Sequence, residues 1–104
     1  MNTTVLFVPV SAPRGMGEYA RCLTLAEALV ARRRDVRPHF LLSREAPYAA
    51  QCPFEHTLLP HSPTLSGEAT TAAMQRVGAS VVVFDNAGRS AHIRAAARSG
   101  AAVI

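Results

Sequence analysis

Residues 5–33 read "VLFVPVSAPRGMGEYARCLTLAEALVARR", and this one unit decides the fold. Val5 to Val8 is an unbroken apolar run of β-formers, the pattern of a strand covered on both faces. Pro9 cannot donate to a ladder, so the strand ends near it. Ser11 to Gly17 is a loop of small residues with Pro13 and two glycines. From Gly17 or Glu18 to about Arg33 the period becomes helical, with Cys22, Leu25, Ala26, Leu29 and Val30 on one face. Arg32 to Arg34 fall at the helix C-terminus, where cations complement the dipole.

The rest of the chain repeats this alternation. His39 to Ser43, "HFLLS", reads as a second strand beginning after Pro38. An irregular, proline-punctuated connection follows from Arg44. Phe54 to Leu59 is a short third strand stopped by Pro60, and "HSPTLSG" is a loop. Glu68 to Val77 is an Ala-rich helix closed by Gly78. Ala79 to Phe84, "ASVVVF", is the clearest buried parallel strand and ends on Asp85. A third helix is expected over Ser90 to Ser99, with Gly100 as its stop, and a fifth strand over Ala101 to Ile104. Strands alternating with helices give an α/β class, a Rossmann-like open parallel sheet with helices on both faces. Right-handed crossovers set its five or so strands in the order 3-2-1-4-5.

The 104 residues make one small domain, with 49% hydrophobic and 17% charged residues, a globular composition and not a disordered one. All 11 basic residues are arginine against 7 acids, giving a net charge of +4. That balance favours anionic ligands or an acidic membrane surface only weakly, and no nucleic-acid partner is expected; peripheral membrane contact stays open. Cys22 reads as a small buried apolar residue and Cys52 as a loop thiol, with no disulfide framework between them. The N-terminus lacks a basic segment followed by a long apolar one, so no signal peptide is read and a cytoplasmic location is expected. The four histidines, His39, His56, His61 and His92, lie on separate elements without ligand spacing, and no metal site is assigned. A final apolar strand would be an uncovered edge, open to self-association or to cover by a partner.

In an open α/β sheet, ligands bind beyond the carboxyl ends of the strands, where the crossover direction reverses. Here that point lies between the first and fourth strands, so "SAPRGMG" (11–17) and "DNAGR" (85–89) face one crevice. Gly15 and Gly17 would let backbone N–H groups approach a ligand, and the helix N-terminus would favour an anion. Gly15-x-Gly17-x-x-Ala20 fits a dinucleotide fingerprint on paper, but Ser11 to Arg14 intervene after the strand and Glu18 would repel a pyrophosphate. Glu18 is the candidate general base, or simply an acid that stabilises the first helical turn. Asp85 binds a sugar hydroxyl, holds a partner group, or closes an Asx-turn. Ser11, Gly15, Met16, Gly17, Arg21, Asn86 and Arg89 complete the set as substrate-binding candidates.

"GMGEYARCLTLAEALVARRRDVRPHFLLS" (15–43) resembles the first glycine loop and helix of GT-B glycosyltransferases. The likeness is to the group containing the lipid-linked N-acetylglucosaminyltransferase of peptidoglycan synthesis and the nucleotide-sugar hydrolase of the pseudaminic acid pathway. Gly15, Gly17, Arg21, Cys22 and Leu23 to Ala26 match that pattern, and "VVVFDNAGR" (81–89) looks like the fourth strand with its terminal acid, Asp85. Glu18 stands where those relatives carry a histidine. The resemblance implies that residues 1–104 are a single Rossmann-like domain, the N-terminal, acceptor-side half of a longer two-domain enzyme. It implies a nucleotide-sugar donor, an acceptor hydroxyl, a C-terminal domain holding most of the donor, and no cofactor or metal. Two alternatives stand beside it: a flavodoxin-like or NAD(P)-type nucleotide-binding or regulatory module that works alone, and a nucleotide-sugar hydrolase domain.

Overall fold

A computed structural model describes residues 3–9, 17–44, 46, 48–59, 67–85 and 102–103. They form β1 (Thr3–Pro9), α1 (Gly17–Arg32), β2 (Val36–Ser43), a single 3-10 turn (Ala49–Gln51), β3 (Glu55–Leu59), α2 (Gly67–Val77) and β4 (Val81–Asp85). The sheet is open and all-parallel, with four strands in the order β3-β2-β1-β4. The α/β class and this order agree with the sequence reading. Of the expected fifth strand, Ala102 and Val103 are described; they lie parallel beside Val81 and Val82. The expected helix over 90–99 lies outside the described residues.

Alternation along β1 explains the layers. Val5 and Phe7 pack with Tyr19, Cys22 and Ala26 of α1, whereas Leu6 and Val8 pack with Ala73 and Met74 of α2. A strand buried on both faces needs apolar residues at every position, which is why β1 reads as a continuous run. The connections running outward to β3 lie on the α1 face, and α2, on the way back to β4, lies on the other. Right-handed crossovers produce this arrangement when the direction of travel reverses.

Two sequence expectations need correction. The second strand starts at Val36 and not after Pro38, so the proline lies inside it. β3 joins β2 only from His39, so at Pro38 the strand pairs with β1 and has no second strand neighbour among the described residues, and a missing N–H is tolerated there. Leu25 and Val30 do not share the buried face of α1; they are 39% and 41% exposed. The buried line runs Tyr19, Cys22, Ala26, and Leu25 flanks it on the side toward β4. The irregular stretch after β2 is also part of the core, because Ala46, Tyr48 and Ala49 are buried against α1 and the sheet.

Aromatic contacts tie that stretch down. Phe40 stacks on Phe7 at 5.0 Å and on Phe54 at 5.8 Å, and takes the edge of Tyr19 at 5.9 Å. Tyr19 in turn stacks on Tyr48 with ring centroids 4.1 Å apart. Such pairs add about 0.5–1.5 kcal/mol each beyond area burial. The second layer is closed by Gly78, whose φ of 69° ends α2, while the Ala79 N–H donates to the Met74 carbonyl at 2.9 Å. This is the left-handed glycine cap that orphan helix carbonyls favour.

Candidate functional site

The switch point is built by register. Val8 pairs with Phe84 and Pro9 with Asp85, so β1 and β4 end side by side. α1 starts at Gly17, runs back antiparallel to the strands, and packs on β1, β2 and β4. Its N-terminus therefore lies at the carboxyl end of the sheet, with its first N–H groups unpaired within the helix.

Gly17, Glu18 and Arg21 occupy that first turn. Glu18 is half-buried and Arg21 is exposed. A side chain on a helix leans toward the N-terminus, and Arg21 follows the rule. Its Nη1 lies 3.4 Å from where a Cβ on Gly17 would be. A guanidinium thus sits beside the helix start, adding a full positive charge to the partial one of the helix end. Behind this turn the wall is aromatic. Burial, reinforced by a hydrogen bond with Cys52, pushes the Tyr19 phenol well above its ordinary range, so it stays protonated.

The structure thus brings Gly17, Glu18 and Arg21 to the same end of the sheet as the backbone of Asp85. Ser11, Gly15, Met16, Asn86 and Arg89 lie outside the described residues. No family model, curated protein or solved structure matches this chain. Among the described residues, no helix is long and apolar enough to cross a membrane, and no three His, Cys, Asp or Glu side chains converge on a metal position.

Two concavities among the described residues lie away from the switch point. One, of about 340 Å³, is apolar and runs beside α1 between Leu25, Leu29, Val81 and Val83. The other, of about 220 Å³, is polar and lies at the amino ends of the strands, lined by Thr4, Arg37, His39, Glu55, Arg76 and Val77. Arg37 grips Glu55 through both Nε (3.0 Å) and Nη2 (2.7 Å). His39 Nε2 is 2.8 Å from Thr57 Oγ1. Burial lowers the His39 pKa, opposed by Glu55 and aided by His56, Arg37 and Arg76, so the ring is neutral near pH 7. Sequence reading missed this cluster because its members come from four separate elements. The available signal was the alternation Arg37, His39 and Glu55, Thr57, which places polar side chains on one face at the start of β2 and β3.

Proposed function

We propose that this chain is the N-terminal, acceptor-side domain of a GT-B-like enzyme acting on a nucleotide-sugar. The register of Pro9 with Asp85 carries the reading: it sets the ends of β1 and β4 together, opposite an α1 N-terminus that bears Glu18 and Arg21. In the reaction, the acceptor oxygen bonds to the anomeric carbon while the bond from that carbon to the diphosphate oxygen breaks. The electron pair leaves with the nucleoside diphosphate, and Glu18 takes the acceptor's hydroxyl proton. Arg21 and the N–H groups of the first turn stabilise charge growing on the departing phosphate. Asp85 binds a hydroxyl of the acceptor. If water replaces the acceptor alcohol, the same steps give hydrolysis.

The identity of the base is tested in the protein that pairs this domain with its donor-binding partner domain. Glu18→Gln should lower turnover about 10²–10⁴-fold, the usual contribution of a general base, and flatten the acidic limb of the pH profile. Unchanged turnover across pH would dismiss the role.

A further inference from the structure

The polar cavity at the amino ends of the strands lies at the opposite end of the sheet from the switch point and plays no part in the reaction above. His39 is its floor. The residue is 9% exposed; its Nε2 lies 2.8 Å from Thr57 Oγ1, and among the described residues Nδ1 has no hydrogen-bond partner. Where the Thr57 hydroxyl donates to Nε2, the ring proton sits on Nδ1, which is 3.9 Å from the Glu55 carboxylate, too far for a hydrogen bond. In that tautomer the buried N–H has no acceptor among the described residues, which is costly and calls for a partner.

The walls carry an excess of positive charge. Glu55 is already held by Arg37 in a two-pronged ion pair, at 2.7 Å and 2.8 Å from Nη2. Arg76, from the last turn of α2, makes no ion pair or hydrogen bond among the described residues. The lining residues Arg37 and Arg76 against Glu55 leave one net positive charge, with Thr4 bordering the same space. About 220 Å³ is room for a small ion with some water, and too little for a nucleotide. Donors arriving from β1, β2 and α2 surround that space from several sides, which suits an anion with oxygens pointing in several directions.

We infer that this cavity is a binding site for a small tetrahedral oxyanion of the phosphate class, held by the Arg76 guanidinium, the outward face of Arg37, and His39 Nδ1–H. The charged and titratable groups whose charge acts on His39 are Glu55 and His56 on β3, Arg37 on β2 and Arg76 on α2. An anion bound there favours the imidazolium, so affinity rises as the pH falls through the His39 titration and, by linkage, the bound anion raises the His39 pKa.

Sodium sulfate is the probe, because it keeps its charge while His39 titrates. It is added to the full chain while the His39 ring and the Arg76 Nε–H are followed by NMR, with sodium chloride at matched ionic strength as the control. A saturable shift of both groups is expected, weakened at least about tenfold in Arg76→Gln and unchanged in Arg32→Gln, a charge loss on the exposed end of α1. Inorganic phosphate should behave like sulfate, and acetate should bind at least about tenfold more weakly. Shifts that do not saturate, that chloride reproduces, or that persist at full affinity in a folded Arg76→Gln chain would overturn the site. Acetate binding as well as sulfate would overturn the tetrahedral assignment.

Discussion

Pro9 and Asp85 end their strands as paired neighbours, although their numbers differ by 76. This pairing sets the ends of β1 and β4 side by side, and α1, packed on both strands, starts with Gly17, Glu18 and Arg21 at the same end of the sheet. The chemistry proposed for the domain depends on that convergence, and the polar cavity at the other end of the sheet is independent of it.

Gly17 tolerates a side chain. Its φ is not in the left-handed region, and a new Cβ would meet Arg21 Nη1 at 3.4 Å, an ordinary contact with the tip of a flexible side chain. Gly17→Ala should therefore leave stability unchanged or raise it by up to about 1 kcal/mol through lower unfolded-state entropy. Thermal unfolding checks this, and a clear fall in Tm would show that the helix start is held differently.

Gly78 behaves in the opposite way. Among the described residues a Cβ there would meet nothing within 4 Å, so the cost is that of the backbone, from a φ of 69°. Gly78→Ala should destabilise by about 1–2 kcal/mol, and Gly78→Asn by less, since asparagine visits that region more readily. Urea unfolding of the two variants gives the order directly.

His39 makes stability fall in mild acid. Its folded pKa is lowered by burial, so the unfolded chain binds more protons below the ordinary value of about 6.5. The stabilisation from keeping the ring neutral is complete above that pH and is lost as the pH drops toward the folded value. Tm measured from about pH 7 to pH 5 should decline, and His39→Gln should flatten that decline. Phosphate-free, low-sulfate buffer is needed, because a bound oxyanion would shift the window upward.

How far the sequence foretold this structure depends on the element. The runs Val5–Val8 and Val81–Val83 announced buried parallel strands because both faces are covered, and the strand order followed from crossover handedness. Pro38 misled, because a proline stops a strand only where a neighbour needs its N–H, and here β3 has not yet joined. Leu25 and Val30 misled in another way: helical period gives the direction of an apolar face but not its width. The Tyr19–Tyr48 stack joins a helix to an irregular stretch, and no local pattern encodes such a pairing. At the site, Gly17, Glu18 and Arg21 were legible as a helix start after a glycine loop. The His39, Glu55 and Arg76 cluster was not, since it exists only once β2, β3 and α2 are packed.

One titration tests the central claim most directly. Uridine-diphosphate sugars, NADPH and FMN are added separately to the chain while the backbone amides are followed by NMR. The account predicts weak, saturable shifts from the nucleotide-sugar at Gly17, Glu18, Arg21 and Asp85, and no tight binding of either redox cofactor. Tight binding of NADPH or FMN at those same amides, or nucleotide-sugar shifts that bypass the start of α1, would contradict it.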